Sequence, residues 1–329
     1  MTRREYYCKR LLITGGAGYL ATALIRALSD TDCHVIRIER DGVRFPPVRG
    51  AVKVEDIYLD VRQKRTWDRL IESVDFIFHF AAQTSAYVSF DEPLADLEIN
   101  SLPMLYLLEA CRQSRVTPNV LFAGTVTEVG ITVKLPVDES HPDRPITIYD
   151  LHKWMAEQYL KQYVQAKLAN GAILRLANVY GPGPRSTSAD RGVLNGMIRK
   201  ALNGETLTIY GEGEYMRDYV FVNDVAQAFL NAGAMLQRLN GRHFVIGSGV
   251  GHTIAEAVLL VADRVAEKTG QKTKVVHVPP PPSLLPIEYR HFVADTSSFT
   301  EATGWRPIIS LMQGIDLTID AIQAERAEA

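Results

Sequence analysis

Cysteine is scarce: Cys8, Cys33 and Cys111 are the three in 329 residues, odd in number and far apart. That excludes a disulfide framework and a cysteine-ligated metal site, and leaves the reduced thiols expected of a cytoplasmic protein. Neither sign of charge prevails. Lys and Arg number 36 against 38 Asp and Glu, a formal net charge of −2, so nothing points to nucleic acid or to a membrane surface. No apolar run approaches the ~18 residues of a membrane-spanning helix, and Met1–Glu5 leads into a core strand rather than an apolar leader. Internal repeats are missing too, and Pro279–Pro282 is a stiff connector rather than a low-complexity domain. What remains is ordinary for a folded chain, with 47% hydrophobic and 22% charged residues. The length suffices for a full core and two lobes.

The informative segment lies near the N-terminus. Lys9–Thr14 is an apolar strand that runs into Gly15, Gly16, Ala17, Gly18, Tyr19, Leu20 and Ala21, and then into a helical pattern over Thr22–Leu28. Strand, glycine turn and helix start form the phosphate-cradling opening of a dinucleotide-binding fold. Gly16 is expected to permit the tight turn and Gly18 to let backbone N–H groups approach a pyrophosphate. Ala21 lets the helix pack close to the strand, with its N-terminus facing the anion. A glycine turn alone is a common strand-to-helix device. The second apolar run, His34–Ile38, strengthens it by ending in Glu39, 21 residues beyond Gly18. An acid there chelates the adenosine ribose hydroxyls and disfavours a 2′-phosphate. Arg40 follows directly and pulls the other way. The balance favours NAD.

Up to about residue 180, short β-branched runs alternate with helical stretches, as in a doubly wound parallel sheet. Further strands are expected at 51–59, 75–80, 119–123 and 172–176, and one long helix over roughly Pro93–Cys111. Gly15, Glu39, Asp60, Ala81, Thr125 and Asn178 all fall at predicted strand exits, where such sheets bind ligands. Together they outline one cleft. Beyond residue 181 the alternation loosens into Gly/Pro-rich loops and isolated helices, a smaller second lobe, with Arg217–Val222 returning briefly to the first. The expected division is 1–180 plus about 217–248 for the Rossmann-type α/β dinucleotide-binding domain, and 181–216 plus about 249–329 for the smaller C-terminal lobe.

Tyr149 and Lys153 stand four residues apart at the start of a predicted helix, so phenol and amine share one face. Tyr163 and Lys167 repeat the spacing, but far along the same helix, where packing or surface is the better reading. A free phenol, with a pKa of about 10, is a poor base at neutral pH. A neighbouring ammonium and a positively charged nicotinamide favour the phenolate. Thr125, ending the fifth strand, is placed to hydrogen-bond the same substrate oxygen.

These residues resemble the extended short-chain dehydrogenase/reductases, specifically the nucleotide-sugar epimerase/dehydratase group. The marks are Thr14–Leu20, Asp60-Val61, His79–Gln83, Asn100, Thr125, Tyr149 with Lys153, Asn178–Gly183 and Arg217–Val222, followed by Arg290–Asp295 and Gly304–Pro307. They span nearly the whole chain in order. The resemblance implies an NAD site formed by Gly15, Gly18, Tyr19, Leu20, Glu39, Arg40, Asp60, Val61, Phe80, Ala81, Ala82, Gln83 and Asn100, with Tyr149 and Lys153. In it Asp60 and Val61 hold the adenine, and Ala81 and Ala82 lie against the cofactor. It also implies that Ser85 and Thr125 meet the substrate, while Asn178, Arg217 and Arg290 grip its diphosphate. Paired guanidiniums suit paired phosphates. Tyr87, Arg185 and Ser186 are further candidates for the sugar. A homodimer built on helices near 100–114 and 150–167 is implied as well.

Two departures stand out. Asp150 and His152 replace the Gly and Ser usual around the family's Tyr and Lys. After Thr125 the chain has Val126-Thr127 where dehydratases resembling it carry Asp-Glu, and Glu128 comes one residue late. That counts against dehydration. The expected activity is NAD-dependent epimerisation of a nucleoside-diphosphate sugar at C4, through a transient 4-keto sugar. Behind it stand an NADPH-dependent reductase of a 4-keto nucleotide sugar, a 4,6-dehydratase, and a non-catalytic NAD(P)-binding sensor.

Overall fold

The computed structural model describes residues 2–48, 50–184 and 192–327. Six strands come first: β1 (Arg10–Thr14), β2 (His34–Glu39), β3 (Lys53–Tyr58), β4 (Phe76–His79), β5 (Asn119–Thr125) and β6 (Asn170–Leu176). Outside their sheet lie β7 (Asn178–Tyr180), β8 (Leu207–Tyr210) and β9 (Met216–Phe221), after which the chain returns with β10 (His243–Ile246). The main sheet has the order β10-β6-β5-β4-β1-β2-β3 and is parallel throughout. It is a Rossmann-type α/β sheet. The order reverses between β1 and β4, which puts the ligand crevice beyond their carboxyl ends.

Helices cover both faces, so the inner strands read as continuous apolar runs. Along β1, β5 and β6 alternate side chains supply the two cores. Leu11, Ile13, Leu121, Ala123, Ala172 and Leu174 point to one, and Leu12, Val120, Phe122 and Ile173 to the other. The edge strand β3 is mostly exposed and carries Lys53, Glu55 and Asp56, charges that discourage pairing with a further strand.

The helices needed below are α1 (Tyr19–Ala27), α2 (Lys64–Leu70), α3 (Ala86–Asp91), α4 (Pro93–Asn100), α5 (Leu102–Gln113), α6 (Ile148–Gln165), α7 (Val193–Leu202) and α8 (Val222–Ala234). The long helix expected over 93–111 is two, broken at Ser101. Pro103 has no N–H to donate, and its ring crowds the carbonyl one turn back, so the chain re-nucleates there. The strand at Arg217–Val222 does not rejoin the main sheet. β9 pairs in parallel with β7 and antiparallel with β11 (Gly251–Thr253). It is α8, packed on α1, and then β10, beside β6, that bring the chain back.

A third apolar core holds the smaller C-terminal lobe. Leu194 and Ile198 of α7, Ile209 of β8, and Val258, Val261, Ile315 and Ile319 of two later helices meet there. β12 (Val275–Val278) pairs with β8 at its edge. Among the described residues no helix is long and apolar enough to cross a membrane.

Candidate active site

The turn after β1 hugs its neighbours. Gly15 is the left-handed residue, at φ 64°, and a Cβ there would lie 3.0 Å from the backbone N of Ala81. Gly16, expected to make the tight turn, is required for a different reason: its Cβ would come within 2.6 Å of Cβ of Arg37 on β2. Gly18 is the N-cap of α1, and no side chain caps the helix. A Cβ on Gly18 would press to 2.9 Å on the carbonyl oxygen of Gly15. Backbone N–H groups at such an uncapped N-terminus suit a phosphate. Leu20 is half-buried in the first turn. Tyr19 spans to the second lobe, its hydroxyl donating to the Gly181 carbonyl at 2.8 Å and accepting from Asn195 at 3.3 Å.

At the exit of β4, Thr14 Oγ1 accepts the N–H groups of Phe80 and Ala81, both at 3.0 Å. Its own proton therefore goes to Nδ1 of His79, 2.8 Å away. His79 is buried between Trp67 and Phe122. Burial, and then the charge of Lys153, push it down to about 3. It stays neutral and holds the strand exit in shape. Glu39 ends β2 half-buried, with Arg40 exposed beside it. The Asp60 carboxylate is occupied by Arg62, with Nη2 at 2.7 Å, which holds it below the usual carboxylate range. Val61 is buried next to it, and Ala81 and Ala82 are half-buried.

Gln83 and Asn100 serve a polar network. Gln83 donates from Nε2 to Asp96 Oδ1 and to the Ser85 carbonyl, each at 2.7 Å. Asn100 donates from Nδ2 to the Gln83 carbonyl at 2.8 Å and to Asp96 at 2.9 Å. Its Oδ1 stays buried with no hydrogen-bond partner among the described residues. Asp96 is 1% exposed, and its second oxygen takes Nδ1 of His152 at 2.7 Å. His152 thus braces α6 against α4. Ser85 is buried and caps α3, its Oγ accepting from Val88 at 3.2 Å. Tyr87 accepts from the Leu285 N–H at 3.4 Å. Asp96 gave no sequence signal beyond standing four residues before Asn100.

β5 and α6 bring Thr125, Tyr149 and Lys153 together. Thr147 caps α6, accepting the Asp150 N–H at 3.1 Å, and the Tyr149 N–H donates to Ser89 at 3.0 Å. Thr125 is the group that pulls the Tyr149 phenol downward. The Lys153 ammonium sits 4.0 Å over the Phe122 ring and is lowered to about 8, by burial above all. The phenol differs from expectation. Burial, then the charges of Asp150 and Glu128, hold it above its ordinary value, against the pull of Thr125. An ammonium one turn away does not by itself make it a base. The second Tyr/Lys pair shares no face: Tyr163 donates to Glu109, and Lys167 lies beyond the helix end at φ 61°.

Glu128 is fully buried and held in place. Its Oε1 accepts the Thr125 N–H at 3.2 Å, and Oε2 lies 3.1 Å from Arg175, which also grips Glu157 and Asp143. Across the cleft Arg217 donates to the carbonyls of Arg290 and Glu288, and Arg290 to that of Ile287. Burial, then Arg217, bring the Arg290 guanidinium down to about 10, and its Nε is buried with no hydrogen-bond partner among the described residues. Glu288 lies 3.5 Å from Arg217, and the charges of Glu288 and Asp150 act on Arg290; two adjacent buried guanidiniums are a setting that suits a diphosphate. Asn178 is half-buried at the start of β7, opposite Tyr219. Arg185 and Ser186 lie outside the described residues.

The left-handed turn against Ala81, the uncapped α1 and an acid, Glu39, at the end of β2 suit a dinucleotide. A model of the NAD dependent epimerase/dehydratase family matches residues 11–247. The chain is 30% identical over 316 residues to the UDP-glucose 4-epimerase of Mycolicibacterium smegmatis, covering 94% of this chain and 97% of that one. The structure of UDP-glucose 4-epimerase with UDP-glucose from Thermotoga maritima is similar, with TM-score 0.85 and 29% identity over 96% of this chain and 99% of the other. That of the Thermus thermophilus UDP-glucose 4-epimerase in complex with NAD has TM-score 0.80 and 31% identity over 95% and 99%.

Proposed function

Because the chain belongs to the NAD dependent epimerase/dehydratase family, we propose that it epimerises a nucleoside-diphosphate sugar at C4 through a transient 4-keto sugar. The observation that carries this reading is the placement of Tyr149 beside Thr125, with Lys153 one turn along, at the carboxyl end of β5. NAD, when bound, supplies the acceptor that takes up the C4 hydride and gives it back. Gly15, Gly18 and the first turn of α1 hold its pyrophosphate, and Glu39 its adenosine ribose.

Tyr149 takes the 4-OH proton as base and returns it as acid, worth roughly 10²–10⁴-fold in rate. Thr125 orients the sugar oxygen. Lys153 places positive charge behind the phenol. Arg217, Arg290 and Asn178 clamp the diphosphate, which leaves the sugar as the part free to turn over. Glu128, fixed on Arg175, is not free to expel water from the sugar, and this favours epimerisation over dehydration. The enzyme acts as a homodimer through α5 and α6, where Leu151 is exposed on the helix that carries Tyr149.

A second reading rests on Arg40, exposed directly after Glu39: a reductase of 4-keto nucleotide sugars with exchangeable NADPH. Cofactor extracted from the purified protein separates the two. Bound NAD⁺ together with interconversion of UDP-glucose and UDP-galactose, or of another pair from a panel of UDP-, CDP-, GDP- and dTDP-sugars, supports the epimerase. An empty site that saturates with NADPH and turns over 4-keto sugars overturns it.

A further inference from the structure

Asp96 on α4 is 1% exposed, and a carboxylate so placed must be met by donors. Three side chains meet it, from two directions. On the side of β4, Gln83 Nε2 and Asn100 Nδ2 donate to Oδ1, at 2.7 and 2.9 Å. On the side of α6, His152 Nδ1 lies 2.7 Å from Oδ2. Carboxylate oxygens accept, so Nδ1 carries a hydrogen and donates it.

Both directions lead to the site. Gln83 organises the segment after β4: its Oε1 accepts the Ser85 N–H, its Nε2 also reaches the Ser85 carbonyl at 2.7 Å, and its own carbonyl accepts Asn100 Nδ2 at 2.8 Å. That segment starts from Phe80 and Ala81, which Thr14 holds and against which Gly15 packs. His152 stands three residues after Tyr149 and directly before Lys153, in the first turns of α6. The same turns are gripped twice more from the α3–α4 side. The Tyr149 N–H donates to Ser89 at 3.0 Å, and Ser101 Oγ donates to the His152 carbonyl at 2.7 Å. Those two bonds hold the backbone of α6, and the Asp96 carboxylate carries the hold on to Gln83.

We infer that Asp96 sets the spacing between the cofactor-side segment after β4 and the helix that bears Tyr149 and Lys153. It is a positioning residue, acting through Gln83 on one side and His152 on the other. Its use in catalysis rests on the reading above, in which a sugar is held between cofactor and phenol, whereas the tie itself depends on no substrate. Spacing matters because reacting groups tolerate little error: a misplacement of about 1 Å can cost roughly 10²-fold in rate. His152 makes the tie possible. An imidazole carries its donor further from the helix than the serine usual before the family's lysine.

Hydrogen exchange of the full chain, read by mass spectrometry over residues 148–155 and 80–85, tests the tie. Asp96→Ala and His152→Ala should each speed exchange in 148–155 about tenfold. The double variant should add little, because both changes remove one interaction. Gln83→Ala, on the far side of the carboxylate, should speed exchange in 148–155 in the same direction by less. His152→Asn, whose amide keeps a donor near the place of Nδ1, should restore protection. Exchange over 148–155 at the wild-type rate in Asp96→Ala or in Gln83→Ala overturns the inference. Should Asp96→Ala fail to fold, Asp96→Asn takes its place. Its amide has one acceptor oxygen and cannot serve both sides, so 148–155 or 80–85 must lose protection, and wild-type exchange in both segments overturns the tie. With any nucleotide sugar that the enzyme turns over, well below the melting temperature, kcat should fall roughly 10-fold or more in Asp96→Ala and His152→Ala. The KM for the sugar should stay within about twofold, and His152→Asn should recover the rate. A role in folding alone would leave kcat per folded molecule unchanged, and that result overturns the positioning role. If the wild type turns over no sugar, the epimerase reading fails and the exchange rates still decide the tie.

Discussion

Arg175 lies 2% exposed among Glu128, Glu157 and Asp143, with nitrogen–oxygen distances between 2.6 and 3.1 Å. Removing one member of such a buried set leaves the others uncompensated. Arg175→Met should cost about 3–5 kcal/mol by urea denaturation, and Arg175→Lys less; a loss within experimental error for both would contradict the role given to the cluster. Tyr149→Phe tests the site itself. Turnover should fall by roughly 10²–10⁴-fold, while NAD affinity measured by calorimetry stays near wild type. Thr125, Tyr149 and Lys153 were legible because a helix face and a strand end are local patterns. Asp96 with His152, and Arg175 with its carboxylates, were not. Such pairs join positions 56, 32 or 18 apart, and isolated polar residues leave no periodic trace in a sequence.

His79 gives the fold a pH dependence whose sign follows from its burial. An unfolded imidazole takes up its proton near 6.5, whereas the folded one does so at about 3. Between those values the unfolded chain binds more protons, so stability falls as pH drops, by about 1.4 kcal/mol per pH unit at the steepest. His243, pushed down to about 4 mainly by burial, adds in the same direction. Asp150 opposes them: raised to about 6, it takes its proton first in the folded state. His79→Asn should flatten the acid side of a plot of urea midpoint against pH, and an unchanged slope would show that the imidazole is not held neutral.

At the level of elements, the glycine turn is where sequence and structure meet most closely. Strand, turn and helix were readable from Leu11 to Ala27, yet the left-handed residue is Gly15 rather than Gly16, because glycines in a row do not show which one bears the positive φ. Gly18→Ala should leave the far-ultraviolet spectrum unchanged and weaken NAD binding about tenfold, since its Cβ would press on the Gly15 carbonyl and intrude where backbone N–H groups face the phosphate. Retention of full affinity would place the pyrophosphate elsewhere. The break between α4 and α5 had its cause in view, Pro103, but the apolar pattern continues across it and masks the stop.

For the whole molecule, the parallel sheet was legible because buried strands are written as apolar runs. β9 was harder to place, since its apolar residues suit a small sheet as well as the large one and only pairing with β7 and β11 decides. The lobes meet where Tyr19 reaches Gly181 and Asn195. A ligand seated between them should stabilise the entire fold by mass action, about 2.7 kcal/mol at a hundredfold excess over Kd. Saturating NAD should therefore raise the melting temperature, and UDP added afterwards should raise it again.

The most direct test of the account is a proton NMR spectrum of the sugar formed when NAD-loaded enzyme acts on UDP-glucose, or on whichever nucleotide sugar it accepts, in heavy water. If Tyr149 moves the hydroxyl proton while the C4 hydrogen is lent and returned as hydride, the epimerised sugar keeps its original hydrogen at C4, and Tyr149→Phe forms almost none of it. Deuterium from solvent at C4, or near-normal epimerisation by Tyr149→Phe, would contradict it.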